Sequence, residues 1–346
     1  AGYTRQVLGA RHRAHGLEGN VGVYVGVMFN EYQLYGAQAQ ERGQGIALAG
    51  NVSSIANRVS YYCNFHGPSL AVDTMCSSSL TAIHLACQSL HKGGCEVAIA
   101  GGVNVSVHPN KYLALSQGQF ASSEGLCRSF GVGGDGYVPA EGVGAVLLKP
   151  LAKALEDGDQ IYGVIKGSAI NHGGKTNGYT VPNPNAQRQV IAQAIEQSGV
   201  NARSISYVEA HGTGTALGDP IEIAGLSQAY GHSTSDKQYC AIGSVKSNIG
   251  HAESAAGIAG LTKVLLQMKH KTLVKSLHSQ ELNPHIDFEQ TPFKVQQERS
   301  EWVRPQIDGR EVARLAGISS FGAGGANAHL IVEEYVETRA QAVWPK

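Results

Sequence analysis

Short apolar runs recur along the chain and are separated by segments with a three- and four-residue spacing of apolar positions. An apolar run of this length bounded by turn residues predicts a buried strand. The predicted strands, some followed by a turn, lie at 20–28, 69–74, 96–105, 142–151, 161–170, 205–215 and 240–251, and two more flank a glycine-rich turn within 314–334. Because they alternate with helical patterns, the sequence predicts the α/β class.

The helical pattern is clearest just after the second predicted strand. Leu80, Ile83, Cys87 and Leu90 follow the spacing of one helix face and predict an amphipathic helix over 77–91. Further helices are predicted at 50–61, at 186–198 and after residue 251, where Ile258, Leu261, Leu265 and Met268 share a face.

Composition narrows the possible functions. The 346 residues carry no formal net charge, and only 16% are charged, so the chain lacks the clustered basic excess of a nucleic-acid-binding protein. Six cysteines occur without a C-x-x-C pair, which disfavours a structural zinc site. Sparse cysteines and no recognisable signal peptide are typical of a reduced, cytoplasmic protein. No apolar run reaches the length of about 18 residues that a membrane span needs.

Three predicted strands end in a residue whose side chain could take part in catalysis. Cys76 follows the strand 69–74 in "VDTMCSSSL", His211 lies in "EAHGTGTALGDP", and His251 ends "KSNIGH". Ligands of open α/β sheets bind at the carboxyl ends of strands. Three such ends that converge would therefore form an active site.

Cys76 is predicted to lie at or just before the first turn of the 77–91 helix. The unpaired N–H groups and dipole of a helix N-terminus favour a thiolate, and the same amides can donate to an oxyanion. A free cysteine is also often a small buried packing residue. Spacing alone leaves both interpretations open for Cys76, whereas the other cysteines are interpreted as packing residues.

The two histidine motifs also carry alternatives. His211 can reach a substrate from a turn opened by glycine, with Thr213 and Thr215 as hydroxyl donors. The turn is also predicted to let Asp219 cap a helix that starts at Pro220, and both interpretations can hold. His251, before a helix, is expected to be neutral because the dipole disfavours a cation there. A neutral imidazole can donate a hydrogen bond to an enolate. Lys246 is either part of this site or an ordinary surface charge.

Two glycine-rich stretches invite a nucleotide-binding interpretation. "SSFGAGGANAH" (319–329) is followed by a strand, so it predicts a wall of backbone N–H groups for an oxyanion rather than a phosphate cradle. "GVGGDG" (131–136) matches the dinucleotide pattern in spacing, but Tyr-Val-Pro follows in place of a helix. The structural context for a nucleotide is therefore missing.

The four motifs around Cys76, His211, His251 and residues 319–329 together resemble the β-ketoacyl synthases of the thiolase-like superfamily. "SFGVGGDGYVPAEGVGAVLLKPL" and "GSAINHGGKTNGYTVPNP" resemble, more narrowly, ketosynthase domains of modular polyketide synthases that recruit their acyltransferase in trans.

The resemblance implies a five-layered αβαβα fold built from two related halves and a homodimeric protein. The halves would span 1–160 and 161–335, with a linker starting at 336–346. The chain begins at "AGYTRQ", where the family pattern already has preceding sequence, so the usual N-terminal segment with its first strand is expected to be absent.

The resemblance also implies an activity. Cys76 would accept a polyketide chain from the phosphopantetheine arm of an upstream acyl carrier protein. His211 and His251 would then promote decarboxylation of a malonyl unit on a downstream carrier protein, and the enolate would attack the Cys76 thioester. No metal and no cofactor bound by the domain is implied, and neighbouring polyketide synthase domains would be further partners.

Supporting roles follow from the same resemblance. The backbone N–H groups of Cys76 and Ala323 would form the oxyanion hole. Thr213, Thr215 and Phe321 would contact the pantetheine arm or substrate, and Lys246 would support the polar network near His251. Met75 stands where many relatives have Ala, and Ala323 where fatty-acid-type members often have an aromatic gate. Both are therefore expected to shape the acyl pocket.

Three other functions compete with an elongating ketosynthase. A non-elongating ketosynthase would transfer acyl chains without condensing them, but such relatives typically lose a histidine, and this chain has both. A cysteine hydrolase would need an Asn or Asp to orient its histidine, and none is identifiable. A non-catalytic module that docks carrier proteins would not be acylated at Cys76.

Overall fold

A computed structural model describes residues 3–6, 17 and 19–337 of the chain. Its helices are α1 (Tyr32–Glu41), α2 (Ser53–Cys63), α3 (Ser78–His91), α4 (Asn110–Gln117), α5 (Leu151–Glu156), α6 (Pro184–Ser198), α7 (Gly218–Tyr230), α8 (Lys246–Ile249) and α9 (Ala256–His270). Its strands are β1 (Tyr3–Gln6), β2 (Val21–Gly26), β3 (Ser69–Val72), β4 (Val97–Asn104), β5 (Gly142–Leu148), β6 (Gly163–His172), β7 (Ile205–Glu209), β8 (Cys240–Gly243), β9 (Thr272–Leu273), β10 (Phe293–Val295), β11 (Ser300–Glu301), β12 (Gln306–Ile307), β13 (Arg310–Glu311), β14 (Leu315–Phe321) and β15 (Ala326–Glu333).

The main sheet has eleven strands in the order β10-β8-β7-β14-β15-β6-β1-β5-β4-β2-β3. Its two arms repeat one arrangement. In one arm β2 pairs in parallel with β3 and β4, and β4 pairs antiparallel with β5. In the other, β7 pairs in parallel with β8 and β14, and β14 pairs antiparallel with β15. The repeated order establishes two related halves.

Five layers follow from how the helices pack on these arms. Helix α2 covers β2 and β3 on one outer side, and α6 covers β6 and β15, beside α7, on the other. Helices α3 and α9 pack against each other between the arms. Leu80 and Ile83 of α3 and Ile258 and Leu261 of α9 are buried in this central layer, which explains the apolar spacing in the sequence. The predicted αβαβα architecture is confirmed.

The central pair of helices positions the site, because each begins beside a strand end. β3 leads into α3 through Cys76, and β8 leads towards α9 through His251. Helix α3 begins at Ser78, within one residue of the predicted start.

The short helices α1, α4, α5 and α8 were not predicted. Residues 338–346, most of the expected linker, lie outside the described part of the chain, and the boundary near 160 stays a prediction. No helix within the described ranges is long and apolar enough to cross a membrane.

Candidate active site

The nucleophile turn joins β3 to α3 and places Cys76 two residues before the first helical residue. Met75 adopts φ 58°, in the left-handed region that is costly for a residue with a side chain. Hydrogen bonds hold the turn: Ser78 N–H donates to Met75 O (3.1 Å) and Ser77 N–H donates to Thr74 O (3.3 Å). Gly322 packs so closely that a Cβ there would lie 2.4 Å from Thr74 O.

The Cys76 thiol is buried, and burial raises its pKa to about 12. The negative charge of Glu253 acts in the same direction, whereas Lys246 and the backbone N–H groups of Ala323 and Cys76 act against it. The raised pKa contradicts the interpretation of a thiolate in the resting protein, because desolvation is the largest influence on the thiol. The two amides assigned by resemblance to an oxyanion hole do lie at the sulfur.

Carboxylates of α7 hold the turn that carries His211. The Glu222 carboxylate accepts hydrogen bonds from the backbone N–H groups of His211 and Gly212, both at 2.7 Å. Asp219 accepts from Gly214 N–H (3.1 Å) and from Phe130 N–H (2.7 Å). Helix α7 already begins at Gly218, so the alternative of Asp219 as a simple helix cap is wrong: its carboxylate ties two turns together.

His211 presents a neutral imidazole. Burial, reinforced by the charge of Lys246, holds its pKa well below the ordinary value. Its Nδ1 accepts a hydrogen bond from the backbone N–H of Phe321 at 3.4 Å. A neutral ring that accepts at Nδ1 carries its proton on Nε2, so His211 is a hydrogen-bond donor at Nε2.

His251 is fixed by backbone pairing. Its N–H donates to Val138 O (2.7 Å) and its carbonyl accepts from Ala140 N–H (2.9 Å). Its Nδ1 accepts from Glu253 N–H at 2.9 Å, which again places the proton on Nε2. That Nε2 is buried and finds no hydrogen-bond partner among the described residues.

The predicted neutrality of His251 is confirmed, but its cause differs from the predicted one. Burial lowers its pKa well below the ordinary value, and the charge of Lys246 adds to the effect. Lys246 itself is buried, 3% exposed, so the alternative of a surface charge is wrong. Burial lowers the pKa of Lys246, while Glu209, Glu222 and Cys76 act against that shift.

The strand ends converge on one cavity of about 270 Å³. The His211 and His251 rings are 5.5 Å apart and nearly perpendicular, and the Phe321 ring is 5.7 Å from that of His211. The predicted residues that line the cavity are Met75, Cys76, His211, Thr213, Thr215, His251, Phe321 and Ala323. Lys246 is not among its lining residues. The hydroxyls of Thr213 and Thr215 lie 3.3 Å apart.

Several lining residues were not predicted. One wall is apolar and includes Met28, Phe29, Leu115 and Phe120, and another consists of 180–183. Phe29, Leu115 and Phe120 come from loops and from α4, where the sequence offers neither periodicity nor a motif, whereas Met28 ends a predicted strand and 180–183 lie within "GSAINHGGKTNGYTVPNP".

His172, which is not among the predicted site residues, joins two loops of the site. Its Nε2 donates to Gly324 O (2.9 Å), and its Nδ1 accepts from Gly174 N–H (3.0 Å). Gly173 N–H also donates to Gly325 O (2.8 Å). These bonds hold the turn that presents the Ala323 amide to Cys76.

Chemically, the cavity combines one nucleophile, two amide donors and two Nε2–H donors. Within the described residues, no cluster of His, Cys, Asp or Glu is arranged to hold a metal ion. The donors suit a reaction in which negative charge develops on carbonyl oxygens.

Family models for the N-terminal and C-terminal domains of β-ketoacyl synthases match residues 1–154 and 162–280. The chain belongs to the β-ketoacyl synthase family. Within it, the chain is 70% identical over 339 residues to polyketide synthase PksL of Bacillus subtilis and 64% identical over 336 residues to polyketide synthase ThaG of Burkholderia thailandensis. Each match covers 97% of this chain but only 7% and 6% of the relative.

Solved structures give the same picture. The oxazolomycin ketosynthase domain OzmH KS7 of Streptomyces albus is 55% identical with a TM-score of 0.91, over 94% of this chain and 57% of that one. The ketosynthase from module 6 of the bacillaene synthase of Bacillus subtilis is 44% identical with a TM-score of 0.85, over 93% and 54%. The chain thus resembles ketosynthase domains of polyketide synthases and spans about half the length of those solved chains.

Proposed function

We propose that the chain is an elongating ketosynthase of a polyketide synthase. One observation carries the proposal: the Cys76 sulfur faces two backbone amides in a cavity that also contains two neutral imidazoles protonated at Nε2. The resemblance to ketosynthase domains of polyketide synthases supports it.

The first step loads the chain onto Cys76. The sulfur attacks the thioester carbonyl of an acyl chain held on the phosphopantetheine arm of a carrier protein. The amides of Cys76 and Ala323 donate to the oxyanion as it forms. The carbon–sulfur bond to pantetheine breaks, and the proton of the Cys76 thiol ends on the pantetheine sulfur that leaves.

The second step extends the chain. A malonyl thioester on a downstream carrier protein loses its carboxylate as carbon dioxide, and His211 and His251 donate from Nε2 to the thioester oxygen of the resulting enolate. The enolate carbon attacks the acyl carbon on Cys76. The Cys76 sulfur leaves as a thiolate and takes up a proton from solvent, and the product is a β-ketoacyl thioester two carbons longer on the downstream carrier protein.

The state of the imidazoles favours condensation over hydrolysis. In a hydrolytic triad, the Nδ1–H of histidine donates to a carboxylate and Nε2 is free to accept a proton. Here Nδ1 of both His211 and His251 accepts a backbone N–H. Both rings therefore donate at Nε2, as an enolate requires, and neither is set up as the base of a cysteine hydrolase.

Finer parts of the proposal concern partners and substrates. Thr213 and Thr215 lie along the cavity and would contact the pantetheine arm. The partners would be an upstream acyl carrier protein, a downstream malonyl carrier protein, neighbouring synthase domains and a second copy of the chain. The alternative role is transfer of acyl chains without extension. The presence of both imidazoles in the cavity favours extension.

The test uses the protein with carrier-protein thioesters. We expect intact-mass analysis to show acyl transfer to Cys76, and addition of malonyl carrier protein to give the extended product with loss of carbon dioxide. Cys76→Ala is the control and should give neither. Acylation without extension would support the transfer role and contradict elongation, and no acylation of the wild type would contradict both.

A further inference from the structure

Lys111 on α4 has an ammonium group that is completely buried. It forms an ion pair with Glu253, whose side chain is also inaccessible to solvent. The ammonium further donates to Asn104 Oδ1 (3.2 Å) and Ser106 Oγ (3.0 Å), and it lies 4.9 Å from the centre of the Phe29 ring. The desolvation of two buried charges can cost more than their mutual attraction returns, so stability alone does not explain this pair.

Glu253 connects that pair directly to the active site. Its backbone N–H is the donor to Nδ1 of His251, and its Oε1 accepts from the Tyr137 hydroxyl at 3.2 Å. The Tyr137 ring, in turn, packs edge-on against the His251 ring with centroids 4.7 Å apart. Two contacts of the His251 ring, one with the Glu253 N–H and one with the Tyr137 ring, therefore depend on how the Glu253 carboxylate is held.

The backbone at Glu253 explains why an anchor is needed. Its φ is 45°, which places a residue with a Cβ in the unfavourable left-handed region. Local strain of this kind persists only where surrounding contacts hold it. The contacts at the Glu253 side chain are Lys111 and Tyr137. The conformation they hold is the one that aims the amide at His251.

We propose that the buried Lys111–Glu253 pair is a positioning device for the condensation step, which fixes His251 as an Nε2–H donor. The proposal rests on the proposed ketosynthase function and adds to it two residues that do not touch the substrate themselves. Acylation of Cys76, which uses the Cys76 and Ala323 amides, depends on the pair much less than condensation does.

The pair also connects His251 to the apolar wall of the cavity. Helix α4 carries Lys111 one turn before Ala114 and Leu115, which line the cavity, and Phe29 lines it as well. The apolar wall of the cavity and the loop that orients His251 therefore share one ion pair. A chain that fits the wall badly is expected to slow condensation more than loading.

The decisive variant is Lys111→Met with Glu253→Gln, because it removes both charges and leaves none unpaired. We expect condensation, measured in single turnover on enzyme already acylated at Cys76, to fall at least about tenfold, since small misplacements of catalytic groups have effects of this size. The acylation rate should not fall, because the Glu253 charge raises the pKa of the Cys76 thiol and its removal acts in the opposite direction. Tyr137→Phe, which removes one hydroxyl, should lower condensation about fivefold.

A matched control is a second buried pair, Arg314 with Glu334, which lies just before β14 and just after β15. The double change Arg314→Met with Glu334→Gln should lower the melting temperature without altering the ratio of condensation to acylation.

The ring ¹⁵N shifts of His251 give a readout that needs no substrate. The wild type should show protonated Nε2 and unprotonated Nδ1, and the Lys111/Glu253 double variant a mixture of tautomers.

An unchanged rate ratio and unchanged tautomer in the Lys111/Glu253 double variant would overturn the positioning role. If that variant does not fold, Tyr137→Phe decides, and an unchanged ratio there would overturn it too. A wild type with the expected tautomer but no acylation or extension would instead refute the proposed ketosynthase function.

Discussion

Both histidine turns of the cavity present a neutral imidazole with its proton on Nε2, but different contacts hold the two turns. The His211 turn is held by side chains, because the Glu222 carboxylate accepts its backbone N–H groups. The backbone of His251 is held by main chain, through two bonds with Val138 and Ala140, and the Lys111–Glu253 pair acts on the ring through the Glu253 N–H. The first arrangement contains a titratable group, whereas those two bonds do not.

The two rings also differ in how firmly they are oriented. The bond to Nδ1 is 3.4 Å at His211 and 2.9 Å at His251, and hydrogen bonds weaken as they lengthen beyond about 3.2 Å. His251 is also completely buried. The comparison indicates that the His251 ring is held more rigidly than the His211 ring, which adjusts more readily to the substrate.

The largest expected effect comes from replacing each ring. His251→Asn and His211→Asn should each lower condensation about 10²–10³-fold, because each removes a donor to the developing enolate. We expect the His251 variant to lose more, and also to have the lower melting temperature, because its ring is the more buried and the better anchored. Single-turnover extension and thermal unfolding measure the two effects.

Acylation of Cys76 is the internal control for these variants, since its oxyanion donors are backbone amides. Equal losses of extension and equal melting temperatures for the two variants would contradict the inference that the His251 ring is held more rigidly than the His211 ring.

A smaller effect is expected from pH at the side-chain-held turn. Burial raises the pKa of Glu222 to about 7, against the pull of the two amides, from an ordinary value of 4.5. A carboxyl whose pKa is raised on folding contributes stability that is present below the unfolded pKa and lost as pH rises through the folded one. The wild type should therefore lose about 3 kcal/mol relative to Glu222→Gln between pH 4.5 and 7.

Denaturant unfolding at several pH values measures this difference. Glu196→Gln, an exposed change on α6, is the matched control and should follow the wild type throughout. A gap between the wild type and Glu222→Gln that stays constant with pH would show that the His211 turn does not depend on this titration.

The sequence predicted the parts of the site that lie on local patterns. Strand ends, glycine turns and the apolar spacing of α3 placed Cys76, His211 and His251 together, because these features are set within a few residues. The groups that hold them come from elsewhere: Val138 pairs with residue 251, and Lys111 with residue 253. Tertiary pairings of this kind leave no periodicity in a single sequence.

Besides these tertiary pairings, the sequence did not predict how deeply the groups of the site are buried. The helix N-terminus suggested a thiolate at Cys76, and a lysine such as Lys246 is usually a surface residue. Both inferences used local chemistry, and both failed because the surrounding fold removes water from the two groups. Electrostatics at a buried site depends on desolvation first and on neighbouring dipoles second.

The smallest expected effect concerns which acyl chains load. Met75 lines the cavity next to Cys76 from a left-handed turn. Alanine retains a Cβ, so Met75→Ala should keep the turn and its strain while it enlarges the cavity beside the sulfur. We expect acylation by α- or β-branched thioesters to rise about tenfold relative to straight chains, the usual scale for a few methylene-sized groups.

A panel of acyl thioesters that vary at the α and β carbons measures this preference through the rate of Cys76 acylation. Met268→Ala, a loss of the same side chain in the central core, is the control for general destabilisation and should leave the preference unchanged. If Met75→Ala loads the panel in the wild-type order and ratios, Met75 does not shape the pocket. The left-handed turn would then be needed only to present Cys76, which places selectivity on the wall formed by α4.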